Sequence, residues 1–270
     1  METIVLTDAE FAEVRAMAMR LAGISLNSGK KALVVGRWGK RLAHHGFTTF
    51  RQYLDLLQDS GSGNELQISL DLLTTNETYF FSEPQHFDFI RKEILPQFAP
   101  GNRLRIWSAA CSSGEEPYSV AMLLTAELAH ANWEVWGSDI STRVLETARG
   151  GLFEMARAEH IPAEYKRRFC LKGTGPHEGK ILLDGALMAR VQFRQVNLNE
   201  TLPGLGQFDV IMLRNVMIYF DTETKSRIIE RLIPRLNPGG YFLIGHCDTL
   251  HGVPHGLTTI KPSIYRKPPP

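Results

Sequence analysis

The sequence predicts a doubly wound α/β domain preceded by an all-α domain. In the first 70 or so of the 270 residues, apolar side chains recur with helical spacing. From about residue 103, short β-rich segments alternate with helical segments, as in a mostly parallel sheet covered on both faces. Residues 208–213 are apolar without alternation, which is typical of a strand buried on both sides.

The N-terminal domain, residues 1–72, is predicted to be helical. Thr7 is followed three residues later by Glu10, which is the pattern of a capping box. Gly23 is the expected end of that first helix. The other predicted helices cover residues 30–44, 47–58 and 64–74.

The second domain, residues 103–270, is joined to the first by a linker segment, residues 73–102. In residues 160–190 a glycine-rich turn interrupts the alternation of strands and helices, which predicts a small β-hairpin subdomain inserted there. The predicted strands are residues 104–107, 133–136, 191–193, 208–213 and 241–245, and the predicted helices are residues 117–130, 141–149 and 222–236.

The composition argues against several classes of protein. A net charge of +1 does not suit bulk binding to nucleic acid or membrane. No apolar run approaches the roughly 20 residues that span a bilayer, and the start of the chain lacks the apolar region of a signal peptide. Three widely spaced cysteines fit neither a metal site nor a disulfide framework, so we expect no metal and a reducing cytoplasm.

The loops after the predicted strands indicate a cationic nucleoside ligand. Ligands of open α/β sheets lie beyond the carboxyl ends of the strands. The first loop lacks the glycine pattern of dinucleotide sites, and it places Glu115 and Glu116 where a pyrophosphate needs unopposed N–H groups. Asp139 ends the second strand, where an acid typically binds ribose. S-adenosylmethionine (SAM) fits, because it carries a sulfonium and an ammonium but no phosphate.

Each of these acids also has a purely structural interpretation. Glu115 and Glu116 suit the dipole of the following helix, and Asp139 suits a helix cap. Only their combination favours the nucleoside site. Residues 213–219 lack the Asn/Asp-Pro-Pro-aromatic sequence of enzymes that methylate planar amino groups, which argues against a nucleobase acceptor.

Several long motifs resemble those of the CheR family, the chemotaxis receptor glutamate methyltransferases. They cover residues 73–81, 107–119, 173–179, 214–220 and 245–246. The resemblance implies methyl transfer from SAM to receptor glutamate carboxylates, with S-adenosylhomocysteine as the product. It also implies a cytoplasmic protein that is recruited to membrane receptor arrays. A carboxylate is already an anion at neutral pH, so the lack of an obvious acid–base pair agrees with this chemistry.

The resemblance also assigns site residues. Tyr219 and Arg214 are expected near the reactive methyl group, although an aromatic residue after a strand is otherwise more often part of the core. The residues expected to bind the cofactor are Asn76, Thr78, Ser82, Glu115, Asp139, Asn197, Leu198, Arg214 and Asn215.

Ser82 departs from the family, which normally has arginine after the two phenylalanines. An ion-paired hydrogen bond contributes about 1.5–3 kcal/mol, so its loss predicts about ten- to hundredfold weaker SAM binding or turnover. Ser82 therefore leaves open a SAM-binding receptor module with weak catalysis. A SAM-dependent methyltransferase for another acceptor, such as a small molecule or RNA, also stays open. In a second departure, Cys247 and Asp248 stand where the family usually has Ser-Glu.

Two segments are predicted to contact the receptor. Eight Lys/Arg and no acids lie between Val14 and Leu54, and a one-signed run suits an acidic partner helix, although a solvated helix face is the ordinary alternative. The residues predicted to dock the receptor's cytoplasmic helices are Lys30, Arg37, Lys40 and Arg41. Arg37 and Arg41 share one helix face.

The second segment lies in the inserted hairpin. It resembles the loop with which some family members bind a C-terminal receptor pentapeptide by strand addition, although turn glycines are common. Its residues are Lys172, Gly173, Thr174 and Gly175. The sequence shows no oligomer interface, so we expect a monomer.

Overall fold

The computed structural model describes residues 4–59, 61–74, 77–98, 103–128 and 132–269. Its helices are α1 (Asp8–Ala22), α2 (Lys31–His45), α3 (Phe50–Gln58), α4 (Gly63–Leu73), α5 (Pro84–Phe89), α6 (Glu115–Glu127), α7 (Thr142–Gly150), α8 (Ala163–Phe169), α9 (Gly185–Met188) and α10 (Thr222–Leu232). Its strands are β1 (Leu104–Ser108), β2 (Trp133–Asp139), β3 (Leu152–Glu154), β4 (Cys170–Lys172), β5 (Lys180–Leu183), β6 (Val191–Gln195), β7 (Phe208–Leu213), β8 (Leu236–Ile244), β9 (Thr258–Lys261) and β10 (Ile264–Arg266).

The first four helices form the predicted all-α domain. The capping box of α1 is confirmed, because the Glu10 amide donates to Thr7 Oγ1 at 3.2 Å and the Thr7 amide donates to Glu10 Oε2 at 2.8 Å. Helix α3 begins three residues later than predicted, because Thr49 caps it from an extended conformation. The core of the domain includes Trp38, whose ring packs edge-on against Tyr53 with centroids 5.1 Å apart.

The predicted doubly wound domain is confirmed as a seven-stranded mixed sheet. The strand order is β6-β2-β1-β7-β8-β10-β9. The first five strands in this order are parallel, and the last two, β10 and β9, are antiparallel to their neighbours. After β1 the chain forms β2 and then β6 on one side of β1 in the strand order, and it later forms β7 on the other side of β1. The boundary between β1 and β7 is therefore the switch point of the topology, where such sheets bind ligands.

Helix α6 begins at Glu115, two residues earlier than predicted. Gly114 adopts φ 98°, a left-handed conformation that suits glycine, and a Cβ there would approach Ala148 Cβ to 2.8 Å. Pro117 lies in the first helical turn, where a missing N–H costs no hydrogen bond. The helix therefore starts directly at the sheet edge.

The inserted subdomain is larger than the predicted hairpin. It is a three-stranded antiparallel sheet of order β3-β5-β4, and β3 lies before the predicted bounds of about 160–190. Strand β3 begins at Leu152 and pairs with β5 at Leu182. This pairing joins residues that are distant in the chain, and local sequence patterns do not indicate it.

The segment between the domains is folded onto the sheet. Phe80 is fully buried, and its ring packs edge-on against Phe153 with centroids 5.0 Å apart. Phe81 and Glu83 adopt positive φ angles of 54° and 55°, which are uncommon for residues other than glycine. The described residues contain no helix with the length and apolar character needed to cross a membrane.

Candidate cofactor site

A cavity of about 360 Å³ opens at the carboxyl ends of β1, β2 and β7, next to the switch point. Both domains and the segment between them contribute to its wall. The helical domain contributes Ala22, Ile24, Leu73 and Thr74, and the connecting segment contributes Glu77, Thr78, Tyr79, Ser82 and Glu83. The loops of the sheet contribute Ala109, Ala110, Cys111, Ser112, Glu116, Asp139, Ile140, Val196, Asn197, Leu198, Arg214, Asn215, Val216, Tyr219 and Phe220.

Asp139 lies in this wall, at the end of β2. One carboxylate oxygen accepts from the Ser112 amide at 2.9 Å, and the other accepts from the Ser141 amide at 3.0 Å. Burial raises the pKa of Asp139, against the effect of these backbone donors. The side chain is therefore fixed at the edge of the cavity, where the sequence placed a ribose-binding acid.

Of the two neighbouring glutamates, Glu116 faces the cavity and Glu115 does not. Glu116 accepts from Ser108 Oγ at 2.7 Å and from Arg214 Nη1 at 2.6 Å. Glu115 is fully buried, and its carboxylate is bound by Arg157 and by Ser113 Oγ. Consecutive helical residues point about 100° apart, so Glu116 lines the cavity whereas the predicted Glu115 is turned toward Arg157.

Arg214 lies between two carboxylates. Its side chain is 2% exposed, and it contacts Glu116 at 2.6 Å and Glu83 at 3.2 Å. Its Nη2 also donates to the Ser82 carbonyl at 2.6 Å. Burial would raise the pKa of Glu83, but the attraction of Arg214 and of nearby imidazoles outweighs it, so the pKa lies below its ordinary value. The cluster of Arg214, Glu83 and Glu116 therefore carries more negative than positive charge.

Glu83 is a site residue that the sequence analysis missed. It stands beside Ser82 at the start of α5, and no pattern distinguishes it from a solvated acid. Its positive φ angle turns its side chain toward Arg214, a contact across more than 100 residues of chain. Only the tertiary structure reveals this contact.

Asn215 is held by a second missed residue, Asp248. The Asn215 backbone has φ 56°, and its amide donates to Asp248 Oδ2 at 2.6 Å. The Gly245 amide donates to the same oxygen at 3.1 Å, and burial raises the pKa of Asp248. Asp248 therefore fixes the loop after β7. In the sequence, Asp248 stands out only as a departure from the family.

The structure brings most of the other predicted residues to the cavity. Thr78, Ser82, Asn197, Leu198 and Tyr219 all line it, whereas Asn76 lies outside the described residues. The Asn197 side-chain amide also donates to the Leu21 carbonyl at 2.7 Å, which ties the sheet domain to α1.

The predicted docking residues, on α2 and at Lys30 just before it, fall into two groups. Arg37 Nη1 donates to the carbonyls of Leu72 and Thr74 at 2.9 and 2.7 Å. Arg41 binds the Glu65 carboxylate, with Nε donating at 2.8 Å. These two arginines share a helix face as predicted, but that face is turned toward α4.

The other two predicted docking residues lie nearer to solvent. Lys30 is half-buried, and Lys40 is exposed. Lys40 is therefore the residue of this set that is most accessible to a partner.

The predicted peptide-binding loop follows an edge strand. β4 pairs only with β5 in the three-stranded sheet, and its Leu171 is 58% exposed. Lys172, Thr174 and Gly175 are exposed. A Cβ on Gly173 would lie 2.0 Å from the His177 carbonyl oxygen, so the close turn at this position requires glycine.

Two family models match the chain. Residues 9–74 match the model described as CheR methyltransferase, all-alpha domain, and residues 76–265 match the model described as CheR methyltransferase, SAM binding domain. Together the two matches span both domains of the structure.

Curated relatives match over nearly the whole chain. Chemotaxis protein methyltransferase 2 of Pseudomonas aeruginosa is 40% identical over 262 residues, which cover 96% of this chain and 93% of that protein. The chemotaxis protein methyltransferase of Escherichia coli (strain K12) is 37% identical over 269 residues, with coverage of 98% and 92%.

A looser likeness is to the glycopeptide N-methyltransferase MtfA in complex with SAM. It is 16% identical with a TM-score of 0.38, and the match covers 63% of this chain and 50% of that one.

Proposed function

The chain belongs to the CheR methyltransferase family, and from that premise we propose that it methylates glutamate side chains of chemotaxis receptors. It is a SAM-dependent methyltransferase, and its near full-length relatives are chemotaxis methyltransferases. The proposal adds the acceptor, a receptor glutamate carboxylate, and the product, its methyl ester.

The observation that carries the proposal is the charge of the cavity at the carboxyl edge of the sheet. Four carboxylates line it, from Glu77, Glu83, Glu116 and Asp139, against one guanidinium, from Arg214. Such a wall suits the sulfonium and ammonium of SAM. Among the described residues that line the cavity there is neither histidine nor lysine, and an anionic carboxylate nucleophile needs no base of that kind.

When bound, SAM would supply an electrophilic methyl group on a sulfonium that leaves as the neutral thioether. A lone pair of the glutamate carboxylate forms the new C–O bond, and no proton is transferred. Asp139 would hold the ribose through its rigid carboxylate, and Asn197 and Leu198 would flank the base. Tyr219 and Arg214 position the acceptor beside the methyl group. Holding reactants in line can lower a barrier by about 7–11 kcal/mol at best.

We assign the first receptor contact to α2. Lys40 and Lys30 present positive charge to a glutamate-rich receptor helix, which suits electrostatic steering. Arg37 and Arg41 contribute to the same basic surface, but both also bond within the helical domain. A docking test therefore uses Lys40, because changing either arginine also disturbs folding.

The second contact is the free edge of β4. An extended receptor C-terminus adds to this edge as a fourth strand, next to the loop of Lys172, Gly173, Thr174 and Gly175. The exposed Leu171 lies on this strand. Through these two contacts a monomeric enzyme works in the cytoplasm, recruited to membrane receptor arrays.

The test is methyl transfer from labelled SAM to receptor-bearing membranes. We expect label on receptor glutamates, released by mild base because it is an ester. Asp139→Asn should reduce transfer at limiting SAM by about tenfold, since one charge-assisted hydrogen bond to a ligand contributes about 1.5–3 kcal/mol. Receptors whose methylation-site glutamates are replaced by alanine serve as the acceptor control.

Two results would contradict the proposed acceptor. Base-stable label, or equal label on the alanine receptors, points to a different acceptor. SAM binding without any transfer points to a binding module. Calorimetry with the receptor's C-terminal peptide tests the β4 contact separately, with Leu171→Asp as the variant that should abolish binding.

A further inference from the structure

A cluster of two histidines and one glutamate lies at the rim of the cofactor cavity. Glu83, His86 and His246 each place one potential ligand atom so that all three atoms lie within 4.8 Å of one another. The rings of His86 and His246 stack with centroids 5.7 Å apart. Glu83 also lines the cavity, whereas neither histidine does.

His86 is aimed into this cluster. The residue is fully buried, and its Nε2 lies 3.2 Å from Ser263 Oγ. Its Nδ1 faces Glu83 Oε2 at 3.4 Å, and neither atom has a hydrogen-bond partner. Buried polar atoms without partners are uncommon, and each calls for an explanation such as a bound ion.

The separations fit a metal ion. Zn–N distances of about 2.0–2.1 Å and Zn–O distances of about 2.0–2.2 Å place tetrahedral ligand atoms roughly 3.3 Å apart. His86 Nδ1 and His246 Nε2 lie 3.4 and 3.7 Å from Glu83 Oε2. His246 is half exposed, so its ring is free to rotate and bring Nε2 closer to the separation that a metal ion requires. Ser263 supplies the outer contact that ligating histidines usually make through their other nitrogen.

We propose that Glu83, His86 and His246 bind a divalent transition-metal ion of the Zn²⁺ type. Imidazole and carboxylate ligands suit this class of ion. No metal was expected from the sequence, because the spacing of its cysteines and histidines matches no metal site. Glu83 and His246 are 163 residues apart, so no local motif joins them.

Arg214 must accommodate the ion, since its guanidinium lies 3.2 Å from the same Glu83 oxygen. It retains Glu116 and the Ser82 carbonyl as partners when Glu83 turns to the metal. Metal binding at this place therefore competes with one ion pair of the cofactor site.

The experiment measures Zn²⁺ affinity of the full chain by competition with a chromophoric chelator. We expect one site per chain, at least tenfold weaker in His246→Gln, because one of three ligands is lost. Bound Co²⁺ should give visible d–d absorption that the same variant loses. The matched controls are His251→Gln, an exposed histidine nearby in the chain, and Cys247→Ser, which removes the adjacent thiol; both should keep the wild-type affinity.

Equal Zn²⁺ affinity in wild type and His246→Gln would overturn the proposal. It would also fail if both control variants lost as much Zn²⁺ affinity as His246→Gln. Glu83→Gln gives a second ligand variant, and circular dichroism establishes that each variant is folded. The readout is metal binding, so it is independent of methyl transfer and of the acceptor.

Discussion

At the scale of single residues, the site depends on buried charges that hold each other. Arg214 is nearly inaccessible and has Glu83 and Glu116 as partners. Removing one partner of a buried ion pair typically costs 3–5 kcal/mol, because the other charge is left uncompensated. The ion pair of Glu116 and Arg214 therefore stabilises the wall of the cavity.

Ser82→Arg is expected to strengthen the cofactor site. Ser82 lines the cavity close to Glu83 and Glu116, so a guanidinium there would meet an excess of negative charge. A charge-assisted contact of about 1.5–3 kcal/mol corresponds to about ten- to hundredfold in SAM affinity or turnover. Calorimetry and initial rates measure the two quantities, with Ser82→Gln as an uncharged control of similar length. If neither SAM affinity nor turnover rises, Ser82 does not weaken the cofactor site.

Glu65 is expected to make the helical domain acid-sensitive. Burial alone would raise the pKa of Glu65, but hydrogen bonds from Arg41 and Tyr53 outweigh it and lower the pKa to about 2. The stabilisation is therefore complete above the ordinary value of 4.5 and is lost as the pH falls toward 2. The free energy involved is at most about 3 kcal/mol.

Denaturant unfolding of wild type and Glu65→Gln as a function of pH measures this effect. The variant should be less stable at pH 7, and the difference should shrink as the pH approaches 2. Asp59→Asn, at an exposed acid just past the end of α3, serves as the matched control. A stability difference that stays constant with pH would contradict the assignment.

At the scale of elements, α2 has two basic faces with different roles. Arg37 and Arg41 point to α4 and hold the helical domain together. Lys40 points to solvent. The charge run in the sequence therefore combines a structural face with a surface that is open to a partner.

Lys40→Glu is expected to weaken receptor methylation several-fold at low salt while leaving SAM binding unchanged. The reversed charge repels a glutamate-rich helix, and salt screens this repulsion over about 10 Å at 0.1 M. Methylation rates at several salt concentrations measure the effect. Lys225→Glu, on α10, is the matched charge reversal away from α2. If both variants match wild type at low salt, α2 is not the docking helix.

At the scale of the whole molecule, the cavity wall is shared by the two domains. The Ser25 amide donates to the Tyr219 carbonyl at 2.8 Å, and the Arg143 amide donates to Asp71 Oδ2 at 3.1 Å. Ala22 and Ile24 line the cavity from the helical side. A ligand in the cavity therefore contacts both domains together.

SAM is expected to stabilise both domains at once. At 100 times its dissociation constant, a ligand stabilises the folded state by about 2.7 kcal/mol. Hydrogen exchange should show slower exchange in α1 and α4 as well as in the loops after β1 and β2. Asp139→Asn, at the same SAM concentration, should show less protection. Protection confined to the sheet domain would mean that the helical domain does not close on the cofactor.

The order of the two domains, the mostly parallel sheet, the capped first helix and the sheet edge at which the cavity opens could all be predicted from the amino-acid sequence. These features depend on local periodicity, caps and strand ends, and each of these patterns involves residues that are close together in the chain. Asp139, Arg214 and Asn215 were predicted to lie at this edge for the same reason, because each directly follows or ends a strand, and all three line the cavity.

The remaining features depend on how the elements pack against one another. Whether Glu115 or Glu116 faces the cavity depends on where α6 begins, and the inward turn of Arg37 and Arg41 depends on the packing of α4. Glu83, Asp248 and the third strand of the insertion act through contacts between residues far apart in the chain. A sequence pattern records neighbours along the chain, whereas a site is made of neighbours in space.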